Sequence, residues 1–138
     1  MLQESDLTGR IIGASITVHK ELGPGFIESV YEEALAVEFD HQGLYYERQK
    51  TVGIQYRNKP VGEHRLDFLV EKTVVVELKA VLQLEKIFFV ITRSYLKATG
   101  AKVGLLLNFA AMPLTVKRVS PEDLNYFRSD SSVREFLL

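Results

Sequence analysis

The sequence predicts an α/β domain in which a mixed sheet of four to five strands is flanked by helices, in the order αβββαβ. Three observations carry this. Residues near the N-terminus keep helical apolar spacing. The middle of the chain alternates with a period of two between short turn signals. After a third helical stretch, a continuous apolar run suits a strand buried on both faces. With 138 residues, 46% of them hydrophobic, the chain suits one domain with a substantial core. Within it, 1–43 hold the N-terminal helices, 44–110 the sheet and crossover helix, and 111–138 a C-terminal extension.

Leu7, Ile11, Ile12, Ile16 and Val18 place the first helix over about Ser5 to Leu22, ended by Gly23-Pro24-Gly25. His19 falls in its last turn, where a cation suits the helix dipole, so a surface or capping histidine is the simpler reading and a role at a functional site the secondary one. Val30, Ala34, Leu35 and Phe39 form the stripe of a second helix from about Phe26 to Gln42, with Gly43 as its C-terminal stop. Glu28 and Tyr31 are neighbours three apart on it.

Leu44 to Arg57 is rich in strand formers, and Asn58-Lys59-Pro60 turns the chain into a second strand. Arg48, Lys50, Arg57 and Lys59 with Tyr45, Tyr46 and Tyr56 suit a nucleic-acid surface, but solvated strand faces have the same composition and are the simpler reading. Leu66, Phe68 and Val70 then alternate with Arg65, Asp67 and Leu69. Glu71-Lys72-Thr73 interrupts, and Val74, Val76 and Leu78 alternate with Val75, Glu77 and Lys79. A three-residue turn centred on Lys72 makes Phe68 face Val76, Leu66 face Leu78 and Asp67 face Glu77. Asp67, Glu77 and Lys79 then share one face, with the two carboxylates close enough for one divalent ion.

Leu84, Ile87, Phe88, Ile91, Tyr95 and Leu96 keep helical spacing up to Gly100. Phe89 and Val90 add a second apolar face, so this 84–99 helix is either sandwiched in the core or covered by a partner, such as a second copy of the chain. Lys102 to Phe109 is the doubly buried strand, and Leu114 to Val119 suits an edge strand. Ser120 and Pro121 open a short helix to about Phe127, followed by a loosely held tail from Arg128.

The net charge of −1 and a pI of about 6.3 exclude a global basic field, so any phosphate binding is local. The absence of cysteine excludes disulfides and thiolate metal sites. His19, His41 and His64 lack zinc-ligand spacing, and Pro24 removes an amide that a phosphate cradle would use. The first residues carry no targeting pattern, and no apolar run approaches the ~18 residues of a membrane helix. A cytoplasmic protein without a membrane partner is the expectation.

The stretch from Val18 to Leu35, with Gly25, Glu28 and Tyr31 at the defining positions, resembles the signature of the GxxExxY proteins within the PD-(D/E)xK nuclease superfamily. Arg65 to Val70, Val76 to Val81, Tyr95 to Gly100 and Val103 to Phe109 are similar to the same family. The resemblance covers about residues 8 to 110 and implies a three-layer, restriction-endonuclease-like core. It also implies a Mg²⁺- or Mn²⁺-dependent nuclease that hydrolyses nucleic acid with a metal-activated water. Asp67 and Glu77 would be metal ligands with the Leu78 carbonyl, and Lys79 the catalytic lysine. Glu28 would be the helix-borne acid acting through a water. Tyr31, Arg65, Tyr95 and, more remotely, His19 would lie toward substrate. Leu66 stands where the superfamily name has proline. Phe88 and Ile91 stand where family members carry His and Gln in an HxxQ arrangement. This departure favours an alternative in which the same fold is a catalytically inactive binding or assembly module for nucleic acid or protein.

Overall fold

The structure, a computed structural model, describes residues 4–121. The expected helix beyond Pro121 and the tail from Arg128 lie outside the described residues. The elements are α1 (Glu4–Leu22), α2 (Glu28–Gln42), β1 (Tyr46–Tyr56), β2 (Lys59–Val70), β3 (Val74–Lys79), α3 (Lys86–Thr99), β4 (Val103–Asn108) and β5 (Thr115–Val119). The strands lie in the order β1-β2-β3-β4-β5. Neighbours are antiparallel except β3 and β4, which run parallel because α3 carries the chain back across the sheet.

The period-two pattern sorts side chains between two layers. Val74, Val76 and Leu78 join Leu7, Ile11, Leu35 and Phe39 beneath α1 and α2. Val75 joins Leu69, Leu96 and Val119 on the α3 side. Every residue of β4 is buried, so a polar-out alternation is absent from its sequence. On α3, Thr92 and Leu96 face the sheet, whereas Ile87 and Val90 are exposed. Among the described residues, the helix is therefore applied to the sheet by one face rather than sandwiched.

Two turns set the register. Glu71 and Lys72 both have positive φ, and Thr73 N–H donates to the Val70 carbonyl, which closes the short β2–β3 turn. Arg57 and Asn58 are the positive-φ pair of the β1–β2 hairpin, so that turn lies earlier than expected and Lys59 and Pro60 belong to β2. The missing N–H of Pro60 is accommodated at the register shift between Ile54 and Gln55.

One expected pairing does not form. Phe68 faces Val76, but the β2–β3 ladder runs only over Phe68–Val70 and Val74–Val76. Leu66 packs on the α3 side while Leu78 packs beneath α1 and α2. Across from this break, Gln49 sits mid-strand at φ 49°, between the pairs Arg48↔Phe68 and Lys50↔Leu66. A left-handed residue in a strand bends it, so the faces exchange on passing Asp67.

Gly104 lets α3 approach β4 closely: an added Cβ would lie 2.9 Å from Thr92 Cγ2. Gly104→Ala is expected to destabilise the protein by about 1–3 kcal/mol in urea unfolding. Adding Thr92→Ser, which removes the opposing methyl, should recover a large part of that loss. Additive effects would contradict this packing.

Candidate metal-binding active site

The loop between α1 and α2 ties Gly25, Glu28 and Tyr31 together. Gly25 has φ 117°, a region open in practice to glycine alone. Six residues on, Tyr31 is fully buried. Its hydroxyl donates to the Gly23 carbonyl at 2.6 Å and accepts the Phe26 N–H at 3.2 Å, while its ring stacks on Phe109 at 4.7 Å. The tyrosine thus fixes the path of the loop, and the loop delivers Glu28 as the first residue of α2. Burial raises the Glu28 carboxyl above its ordinary value, Lys79 opposes this, and Asp67 and Glu32 add to it. Glu28 therefore lies in the field of the β2–β3 charges.

Farther along α2, Arg48 bonds both Glu32 and Glu33, at 2.8 and 2.7 Å, and Gln49 Nε2 donates to Glu32 at 2.6 Å. These contacts hold the helix to the bent part of β1 opposite Asp67.

At the bend, β2 and β3 part and the two acids cross the gap. Leu78 N–H donates to Asp67 Oδ2 at 2.9 Å, and Asp67 N–H points to Glu77 Oε2 at 3.3 Å. Each carboxylate thus replaces a ladder bond to the other strand. The adjacency of Asp67 and Glu77 holds, although it is made by side chains and not by a continued ladder. Glu77 is 5% exposed, and its Oε1 is buried with no hydrogen-bond partner. Burial, followed by the neighbouring Asp67 carboxyl, pushes its pKa up to about 10.

Lys79 closes the strand. Its carbonyl accepts Phe109 N–H at 2.8 Å, and its ammonium lies 4.7 Å from the centroid of the Phe88 ring. Phe88, at the position expected for a histidine, thus offers the lysine a π face in place of a hydrogen bond. Tyr95 is raised by partial burial and then by the Glu77 and Asp67 charges, which places α3 within reach of the same field.

The remaining candidates have other positions. His19 is buried, with Nε2 at 2.8 Å from the Ala111 carbonyl, and acts as a structural tether. Tyr31 has no surface left for substrate. Arg65 is exposed on β2, opposite Thr51.

Sequence reasoning missed Asn108 and the pair His64 and Ser94. The Asn108 amide accepts Val81 N–H and donates to the Val81 carbonyl, at 3.1 and 2.8 Å, and so fixes the chain as it leaves Lys79. A lone polar residue ending an apolar strand was its available signal. Ser94 donates to the Ile91 carbonyl at 2.6 Å, so in its 3.2 Å contact with His64 Nε2 the imidazole is the donor. The His64 ring also meets the edge or face of Tyr95 at 4.5 Å. No sequence spacing announces that contact.

Among the described residues no three His, Cys, Asp or Glu side chains converge into a metal-holding group. A cation at the parting of β2 and β3 would meet two carboxylates directly, Asp67 and Glu77, a set that would suit a hard cation retaining several waters. The orphaned Oε1 of Glu77 fits this chemistry, since a cation would satisfy it and displace the proton that burial favours. In metal-free protein, Glu77 stabilises the fold fully below the ordinary carboxylate range, and this contribution is lost as pH rises toward about 10. The urea midpoint measured with chelator should fall over that interval and flatten in Glu77→Gln. Equal slopes in the two proteins would contradict the assignment.

Residues 5–119 match the sequence profile of the PD-(D/E)XK nuclease superfamily. No curated protein matches the chain. Two solved structures share its fold. One is an alkaline exonuclease from Laribacter hongkongensis, 13% identical, covering 79% of this chain and 63% of its own, with a TM-score of 0.51. The other, designated SSO0001, is 14% identical and covers 80% of this chain and 59% of its own, with a TM-score of 0.53. The chain thus spans about three-fifths of each. With a profile match over most of its length and the crossed carboxylates at the parting of β2 and β3, the chain belongs to the PD-(D/E)XK nuclease superfamily.

Proposed function

We propose that the chain is a metal-dependent phosphodiesterase that hydrolyses nucleic acid, with Glu28, Asp67, Glu77 and Lys79 as its working residues. The observation that carries this is the Asp67–Glu77 pair, in which a buried carboxyl oxygen has no hydrogen-bond partner. Asp67 and Glu77 would hold Mg²⁺ or Mn²⁺, with the Leu78 carbonyl as a further donor. The cation would supply Lewis acidity toward a phosphoryl oxygen and acidify a coordinated water. Lys79 places positive charge where the phosphoryl group gains negative charge. Glu28, held above its ordinary pKa by partial burial, orients the attacking water and receives its proton.

A second reading, a nuclease-like domain that binds without cutting, is favoured by Phe88 and Ile91. Phe88 meets Lys79 with an apolar ring, and Ile91 adds no polar side chain one turn later. Self-association through α3 would rest on its exposed Ile87 and Val90.

Labelled single- and double-stranded DNA and RNA, incubated with Mg²⁺ or Mn²⁺, separate the two readings. Cleavage that chelator abolishes, and that falls by about 100-fold or more in Asp67→Asn, Glu77→Gln and Lys79→Ala, is the expected result. Cleavage that survives these substitutions contradicts the site. Metal-dependent binding without cleavage transfers the assignment to the second reading.

A further inference from the structure

β1 and β2 pair from Tyr46↔Val70 out to Tyr56↔Lys59, but β3 supports β2 only over Phe68–Val70. Toward the tip the two strands therefore continue as a ribbon with no third strand among the described residues, and residues 55–63 are all exposed. A hairpin of this length needs a reason to be ordered. Its turn supplies one, since positive φ at both Arg57 and Asn58 matches the natural twist of a two-stranded ribbon.

The charges on the ribbon are unevenly committed. Near the sheet, Arg48 is held by Glu32 and Glu33, and Lys50 by Glu47 at 2.6 Å. Farther out, Arg57, Lys59 and Arg65 make no ion pair among the described residues, and Glu63 is the single acid between Lys50 and Leu66. On a chain of net charge −1, this is a local basic strip. At the tip, Tyr56 is 65% exposed, with the Arg57 guanidinium 5.8 Å from its ring centroid. A cationic strip with an exposed aromatic ring suits a phosphate backbone with bases available for stacking.

We infer that the β1–β2 ribbon is a nucleic-acid track that leads from the Asp67–Glu77 pair to a tip formed by Tyr56, Arg57 and Lys59. Asp67 and Lys59 lie on the same strand, so at ~3.4 Å per residue the track is roughly 27 Å long. That is about eight phosphates of a strand with ~3.4 Å repeat. A polynucleotide reaches both ends, whereas a mononucleotide or a short diester reaches only the acids. The inference rests on the phosphodiesterase reading for its direction, but binding along the ribbon needs neither metal nor turnover.

The test is fluorescence anisotropy in chelator, with labelled oligonucleotides of about 20 and about 4 nucleotides. The proteins are the wild type, the triple variant Tyr56→Ala, Arg57→Ala, Lys59→Ala, and Asp67→Asn. The replaced tip side chains are exposed and outside the core, and circular dichroism checks the fold. The wild type should bind the long oligonucleotide at least tenfold more tightly than the short one. The triple variant should lose about tenfold or more for the long one and shed about two units of salt slope. Asp67→Asn should keep the length preference. Absence of binding in the wild type, or equal affinity and slope in the triple variant, would overturn the inference. Metal-dependent hydrolysis of a small chromogenic phosphodiester reports on the acids alone, so loss of the track and loss of the site give separate readouts.

Discussion

The structure depends on how β2 and β3 come apart. An antiparallel ladder that ends inside a domain leaves N–H groups without partners, and burying such groups is costly. Here Asp67 and Glu77 supply the missing acceptors, each bonding toward the opposite strand. The same act places two carboxyl groups side by side and buries one of them, so strand separation and the pairing of the acids are one event. A regular ladder at this position would pair the acids across the sheet without drawing them into the gap.

The surrounding elements hold that geometry. Gln49, at φ 49° and bonded to Glu32, bends β1 opposite Asp67 and ties the bend to α2. Tyr31 closes the loop that starts α2 at Glu28. Asn108 fixes the chain beyond Lys79, and Phe88 receives the lysine's ammonium. Helix, strand and loop thus converge from three directions on a short stretch of β2 and β3. The β1–β2 ribbon grows out of the same stretch, which gives a compact acidic centre an extended basic arm.

Much of this was legible in the sequence. Strict alternation on either side of Glu71-Lys72-Thr73 determines both faces and register near the turn, so the adjacency of Asp67 and Glu77 followed from counting. Gly43 and Gly100 marked the ends of α2 and α3 because both adopt positive φ as C-terminal stops. The rest depends on tertiary contacts that periodicity does not encode. Leu66 leaves its expected partner because of a bend whose cause, Gln49, is on another strand. The resemblance put Tyr31 and, more remotely, His19 toward substrate, yet loop carbonyls take their polar atoms. Phe88 counted as the loss of a polar group, whereas its ring is what meets Lys79.

In the proposed phosphodiesterase the crossed acids would form a cation site in which Glu77 exchanges a proton for a metal. Calorimetric titration with Mn²⁺ tests it directly, using the wild type, Asp67→Ala and Glu77→Ala in buffers of different ionisation enthalpy. The expected result is one ion bound by the wild type with release of a proton near neutral pH, and loss of binding in both variants. No binding by the wild type, or binding that persists unchanged in both variants, would rule out a cation site at Asp67 and Glu77.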